Sequence, residues 1–98
     1  MRFSEFQSLI KELYYTKDHA RGVKGTFLWL IEEVGELATL LKEKDFQIAK
    51  ISEELADIIA WTSSIANLLN IDIESALKHK YPNKCSKCNS NPCICKTG

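Results

Sequence analysis

Four acidic side chains recur at one-turn spacing in the two most apolar parts of the chain. Glu33 and Glu36 lie in the segment EEVGE, and Glu54 and Asp57 lie in the segment ELAD. Residues three apart share one face of a helix, so each segment would present two carboxylates together. Carboxylates among apolar groups are costly unless a positive charge neutralises them, and oxygen ligands suit Mg²⁺ or Mn²⁺. The spacing therefore predicts a site for a hard divalent cation.

Each acidic pair has a tryptophan about one helical turn away. Trp29 precedes Glu33 by four residues, and Trp61 follows Asp57 by four residues. Paired acids on a helix are usually solvated charge, but two pairs in partly apolar sectors favour a bound cation. The tryptophan rings could stack on a nucleobase, and simple packing in the core is the alternative explanation.

The shortage of histidine near these acids narrows the choice of metal chemistry. A di-iron helical bundle needs Glu-x-x-His pairs, whereas the fourth residues here are Glu36 and Asp57. Catalytic zinc sites normally include histidine as well. Proteins usually hold Mg²⁺ with a few carboxylates together with substrate phosphates, so we expect the ligand to be a phosphorylated compound.

The chain that must position these residues is short and helical in pattern. Its 98 residues suffice for one small domain, and 45% of them are hydrophobic and 27% charged, as in globular proteins. Apolar residues recur at spacings of three and four over residues 3–80, and no proline precedes Pro82. We therefore predict an all-α fold, a bundle of about four helices completed by oligomerisation. Residues 1–82 would form the domain and residues 83–98 a cysteine-rich tail.

Caps and breakers set the predicted helix boundaries. The first helix begins at a capping box of Ser4 and Gln7 and ends near residues 16–18, and the glycines of residues 19–25 predict a loop. The second predicted helix covers Thr26–Glu43. The third starts at Asp45 or Ser52 and reaches about Leu69, and the fourth is capped by Asp72 and ends at Tyr81-Pro82. In the second helix the predicted core stripe is Leu30, Val34, Leu37 and Leu41, with Phe27, Ile31 and Ala38 beside it.

The acidic pattern also resembles a known family. Glu32-Glu33-x-x-Glu36 followed by Glu54-x-x-Asp57 is similar to the EExxE…ExxD signature of MazG-type nucleoside triphosphate pyrophosphohydrolases, in the all-α NTP pyrophosphatase superfamily. The strings TFLWLIEEVGELATLL and EELADIIAW agree in register, and the resemblance covers roughly residues 5–83. It implies homodimers or homotetramers that hydrolyse a (deoxy)nucleoside triphosphate to a monophosphate and pyrophosphate with Mg²⁺. Clearance of non-canonical nucleotides is one role for that reaction.

The resemblance assigns roles to individual residues. It implies that Glu33, Glu36, Glu54 and Asp57 are the metal ligands. It also implies that Glu32 orients water or completes an outer shell, that Trp61 contacts the base, and that Lys80 lies near the phosphates. From the chemistry of this set of residues, Glu32 or Glu33 would accept the proton of the attacking water. From the residues alone, Trp29 is a second candidate for base contact, and Arg21 and Lys24 are candidates for phosphate contact.

Four cysteines follow the predicted helices in the pattern C-x₂-C-x₄-C-x-C. Cys85, Cys88, Cys93 and Cys95 fit a small zinc knuckle in a reducing compartment, with disulfides and free thiols as alternatives. The tail lies outside the family pattern, so the resemblance does not define its role.

Charge and hydropathy bound the remaining alternatives. The formal net charge is zero, which argues against general binding of nucleic acid polymers. The N-terminus lacks the apolar core of a signal peptide and no segment is long enough to span a membrane, so we expect a cytoplasmic protein. Two other functions stay open: a phosphoribosyl-ATP pyrophosphohydrolase, and a non-catalytic helical interaction module with a zinc-binding tail.

Overall fold

The computed structural model describes residues 1–96, and within that range the chain forms three α-helices and no strand. They are α1 (Phe3–Leu41), α2 (Ile48–Leu68) and α3 (Ile73–Lys80). The predicted all-α class is confirmed, and the four cysteines are clustered in the irregular segment after α3. The predicted number of four helices is wrong, because residues 19–25 are not a loop: the helix continues through them with one sharp bend.

The bend in α1 is at Gly22, which has φ 82° and ψ 169°. This backbone conformation is essentially restricted to glycine, because a Cβ would be strained there. The bend places both halves of α1 against α2. Gln7 in the first half bonds to Asn67, and Trp29 in the second half stacks on Trp61. The change in chain direction that the sequence attributes to a seven-residue loop is therefore produced by one residue, Gly22.

The first half of α1 is tied to the junction between α2 and α3 by Gln7. Its amide nitrogen donates to Asn67 Oδ1 at 3.0 Å and to the Ile71 carbonyl at 2.7 Å, and its amide oxygen accepts from the Ile73 N–H at 3.0 Å. The predicted capping box of Ser4 and Gln7 is therefore wrong. Helix α1 begins at Phe3, and Glu5 accepts a hydrogen bond from the Arg2 N–H instead.

The start of α2 also differs from the prediction, whereas α3 agrees with it. Helix α2 begins at Ile48, after both Asp45 and the loop around it, and Ser52 lies inside the helix with its hydroxyl donating to the Ile48 carbonyl. In α3, the Asp72 carboxylate accepts from the Glu74 and Ser75 N–H groups, as predicted for an N-cap.

Much of the predicted core stripe of α1 is exposed in a single chain. Within the described residues, the buried apolar side chains are Ile10 and Ala66. Side chains at four of the predicted core positions are instead 43–48% exposed: Phe27, Ile31, Val34 and Leu41. Leu30, Leu37 and Leu40 are half-buried, so the face of α1 that packs within the chain is rotated toward the acidic residues. None of the helices in the described range has the length and apolarity that crossing a membrane requires.

Candidate functional site

Glu33, Glu36 and Glu54 form a group that we call the acidic cluster. One carboxylate oxygen of each residue lies within 4.8 Å of the others. The second half of α1 supplies Glu33 and Glu36 from adjacent turns, and α2 supplies Glu54 from the facing helix. The packing of two helices therefore brings together three carboxylates that are up to twenty-one positions apart in the sequence.

The acidic cluster holds more negative charge than its surroundings neutralise. Glu33 and Glu54 are half-buried, and the Oε2 atom of each is buried without a hydrogen-bond partner among the described residues. The charge of Glu54 and partial desolvation raise the pKa of Glu36. Protonated Glu54 can donate a hydrogen bond to Glu33, and this, together with desolvation and the Glu33 charge, raises the pKa of Glu54. Unpaired carboxylate oxygens held this close fit a hard cation such as Mg²⁺ or Mn²⁺.

The other two predicted acids lie beside the acidic cluster. Asp57 is exposed one turn after Glu54 and falls outside the group of oxygens within 4.8 Å, although its charge helps to raise the pKa of Glu54. Glu32 is exposed on α1, and its charge helps to raise the pKa of Glu36. Both carboxylates are thus near enough to act electrostatically on the cluster.

The two tryptophans stack on each other next to the acids. The Trp29 and Trp61 ring centroids are 5.8 Å apart and the rings are 8° from parallel. The Arg21 guanidinium carbon lies 4.9 Å from the Trp61 centroid, within the range of a cation–π interaction. Arg21 also donates to Asp18 Oδ1 at 2.9 Å. The structure therefore brings together three of the predicted substrate-binding residues, with Arg21 already partnered by an acid and an aromatic ring.

A cavity of about 330 Å³, here called the α1–α2 cavity, opens beside these rings. Its wall consists of Tyr14, Lys17, Asp18, Arg21, Asp57, Ala60, Trp61 and Ser64. The sequence does not identify Tyr14, Lys17 and Asp18 as site residues, because it predicts that the first helix ends near residues 16–18. Asp18 is only 2% exposed and its Oδ2 is buried without a partner among residues 1–96. Its position three residues before Arg21 was the one available signal of an ion pair.

The other two predicted basic contacts, Lys24 and Lys80, do not line this cavity. Lys24 is exposed and has no ion pair within the described part of the chain. Lys80 lines a different cleft, together with His79, Pro82 and Cys85, at the end of α3. The single chain therefore does not bring Lys80 to the wall of the α1–α2 cavity.

The four cysteines form a second cluster of potential ligands. The sulfur atoms of Cys85, Cys88, Cys93 and Cys95 lie within 4.8 Å of one another, and all four are free thiols. Backbone N–H groups of Ile94 and Ser90 lower the pKa of the Cys88 thiol to about 6, because they stabilise the thiolate.

Within residues 1–96 the protein is all-α, and its two longest helices share an acidic cluster whose oxygens could hold a hard cation, next to a cavity lined by aromatic residues. The MazG nucleotide pyrophosphohydrolase domain matches residues 21–89, well over half of the chain. The chain therefore belongs to this family, as its acidic motifs predict. Among curated proteins, no relative matches it significantly.

Proposed function

We propose that this protein is a Mg²⁺-dependent nucleotide pyrophosphohydrolase that converts (deoxy)nucleoside triphosphates to monophosphates and pyrophosphate. The observation that carries the proposal is the acidic cluster itself. Glu33, Glu36 and Glu54 each place one carboxylate oxygen within 4.8 Å of the others, and Glu33 and Glu54 each keep a buried Oε2 atom without a partner, beside an aromatic cavity. Membership of the MazG family supports the same reaction.

Glu33, Glu36 and Glu54 would hold the cation, with Asp57 completing the set from the next turn of α2. Mg²⁺, or Mn²⁺ in its place, supplies Lewis-acid polarisation of the phosphate oxygens when it is bound. The residues fit this role because a positive charge would relieve the repulsion that raises the pKa values of Glu36 and Glu54. A set of oxygen ligands without histidine or cysteine favours Mg²⁺ or Mn²⁺ over zinc.

The α1–α2 cavity would bind the nucleoside part of the substrate. Its volume of about 330 Å³ lies at the small end of ligand pockets, which suits one base with part of a sugar. Trp29 and Trp61 contact each other, so a base would not stack between them in this arrangement. The available aromatic surface is the exposed part of Trp29, or the part of Trp61 that lines the cavity. Lys17 and Arg21 in the wall would attract the phosphates, and Lys24 and Lys80 would assist at longer range.

Hydrolysis would proceed by attack of water on the α-phosphorus. The bond between this phosphorus and the α–β bridging oxygen breaks, and pyrophosphate leaves with that oxygen. Glu32, which is next to the cluster on α1, or Glu33, which belongs to it, would accept the proton of the attacking water. Lys17 and Arg21 would offset the charge that develops on the phosphates.

The protein would work as a homodimer or homotetramer. Phe27, Ile31, Val34 and Leu41 lie along one side of the second half of α1 and are 43–48% exposed, and Leu55 and Ile59 of α2 are 49% and 44% exposed. Such apolar faces are typical of subunit interfaces. Light scattering at micromolar concentration should find an assembly larger than one chain, and a stable monomer would contradict this part of the proposal.

The direct test of the reaction is pyrophosphate release from a panel of ribo- and deoxynucleoside triphosphates, with and without Mg²⁺. We expect Mg²⁺-dependent release with a monophosphate as the other product. Glu36→Ala should lower the rate roughly a hundredfold or more, because it removes a ligand of the cation. Glu53→Ala is the matched control, since Glu53 is an exposed acid on α2 outside the cluster.

The alternatives predict other results in the same assay. Pyrophosphate release from phosphoribosyl-ATP alone would identify that compound as the substrate and would leave the assignment of the site residues unchanged. A docking module would release no pyrophosphate from any substrate and would be indifferent to Mg²⁺. Equal rates for Glu36→Ala and Glu53→Ala would contradict the ligand assignment.

A further inference from the structure

The cysteine cluster has the dimensions of a tetrahedral metal site. All four sulfur atoms lie within 4.8 Å of one another, and Cys85 Sγ and Cys95 Sγ are 3.8 Å apart. A zinc ion with four thiolate ligands at about 2.3 Å has sulfur atoms about 3.8 Å apart along each tetrahedral edge. We propose that Cys85, Cys88, Cys93 and Cys95 bind one structural zinc ion.

Backbone hydrogen bonds already orient the sulfur atoms. The Lys87 N–H donates to Cys85 Sγ at 3.4 Å, and the Ile94 N–H donates to Cys88 Sγ at 3.5 Å. Such outer contacts stabilise thiolates and fix the direction of the ligands. The segment 85–90, which contains the first two cysteines, is closed as well, because the Cys85 N–H donates to the Ser90 carbonyl and the Asn89 N–H donates to the Cys85 carbonyl, each at 2.9 Å.

The close spacing of the last two cysteines is compatible with a shared ion. Cys93 and Cys95 are separated by one residue, yet both sulfur atoms belong to the group within 4.8 Å. The Cys95 N–H donates to Cys93 Sγ at 3.3 Å, which turns the chain around that sulfur. One ion accounts for the convergence of all four thiols on one point, whereas two disulfides would require only two separate pairs.

The tail needs such an ion because it has no core of its own. None of the described residues from 83 to 96 is buried, and the tail's one large aliphatic side chain in that range, Ile94, is 72% exposed. A segment of this size cannot offset its conformational entropy by hydrophobic burial. Binding of a structural zinc ion supplies folding free energy directly.

This zinc site is independent of the proposed hydrolase site. The family match ends at residue 89, between Cys88 and Cys93, so the complete ligand set is not a feature of the matched domain. The sulfur ligands select a soft or borderline ion, and the carboxylates of the acidic cluster select a hard one. The two sites therefore use different residues and different metals.

The first test is the metal content of the full-length protein purified under reducing conditions from medium that contains both zinc and iron. We expect about one zinc ion per chain, and tetrahedral thiolate bands in the visible spectrum after replacement by Co²⁺. Cys88→Ser should reduce the bound zinc at least tenfold, while Ser86→Ala, in the same loop, should retain it. Iron in place of zinc, intact mass showing two disulfides, or four free thiols without metal would each overturn the proposal.

A second readout keeps the proposal testable if Cys88→Ser disturbs the tail. In the unaltered protein, trypsin should cut after Lys84 and Lys87 at least tenfold faster once a chelator has removed the zinc, because the loop opens. Helical circular dichroism should stay unchanged, since α1–α3 do not contain the ligands. Equal cleavage at these two lysines with and without zinc would show that no ion holds the tail.

Discussion

The acidic cluster and the cysteine cluster gather their proposed metal ligands in opposite ways. The acids come from two helices and are separated by up to twenty-one positions, so the packing of α1 on α2 holds them together. The cysteines come from one irregular segment, residues 85–95, in which no side chain is buried. The acidic cluster would therefore exist before any metal binds, whereas the cysteine cluster would depend on its metal for order.

The two clusters also differ in the electrostatic repulsion that the folded protein must hold. The acidic cluster keeps carboxylates close together, and the Glu54 charge with desolvation raises the pKa of Glu36, while a hydrogen bond to Glu33 with desolvation and the Glu33 charge raises the pKa of Glu54. In the proposed function, the neighbouring negative charges would favour a bound cation that stays accessible to substrate. The geometry of the cysteine cluster does not depend on helix packing, because local turns and backbone N–H donors to sulfur set it.

Of the changes that should affect the helices and leave the cysteine cluster unaltered, Gly22→Ala should have the largest effect on stability. The added Cβ would meet no atom within 4 Å, so its cost is the strained backbone at φ 82°. We expect a loss of about 1–3 kcal/mol, which would lower the melting temperature by roughly 5–20 °C. The zinc content of the tail should not change, because the bend belongs to α1.

Gly35→Ala is the matched control for this experiment. Gly35 lies inside α1 with ordinary helical geometry, and a Cβ there also meets no atom within 4 Å. Alanine should raise the stability by about 0.5–1 kcal/mol, because it favours the helix. Equal effects of the two substitutions in thermal unfolding would mean that the Gly22 bend does not position the helices.

A smaller effect should be the stabilisation of the metal-free protein by Mg²⁺, and it should depend on pH. The folded-state pKa values of Glu36 and Glu54 lie above the ordinary value of 4.5. Without metal, these groups stabilise the fold at low pH, and this contribution is lost as pH rises from about 4.5 through the raised values. Mg²⁺ binds the ionised form, so its stabilising effect should grow over the same window.

Thermal unfolding at pH 5 and pH 8 with and without Mg²⁺ would measure this effect. We expect Mg²⁺ to raise the melting temperature by roughly 2–5 °C at pH 8 and by less at pH 5. Glu54→Gln should remove most of the difference between the two conditions. A larger Mg²⁺ effect at pH 5 would contradict the cause assigned to the raised pKa values.

Local signals in the sequence predicted part of this structure well. Asp72 caps α3 as expected, because a capping residue acts within its own helical turn. The acids at positions 33, 36 and 54 were placed on helix faces by spacing alone, and the structure brings them together. That success follows from the regular period of a helix, which fixes which side chains share a face.

Features that depend on contacts between residues distant in the sequence could not be predicted from local sequence signals. Gln7 was assigned to a local capping box, but its amide group bonds to Asn67, Ile71 and Ile73 instead. The side of α1 that packs on α2 was rotated from the prediction, because a helical wheel cannot show which apolar stripe is covered by the same chain. The glycine-containing segment signalled a break at residues 19–25, but only the conformation of Gly22 determines that the break is a bend.

The central claim is that the acidic cluster binds a hard divalent cation, and Mn²⁺ binding followed by electron paramagnetic resonance tests it most directly. The unaltered protein and Glu53→Gln should bind Mn²⁺ with the same affinity, and Mg²⁺ should compete. Glu54→Gln should weaken binding at least tenfold, because it removes a cluster carboxylate at nearly constant shape. If Glu54→Gln and Glu53→Gln bind Mn²⁺ equally well, the acidic cluster is not the cation site.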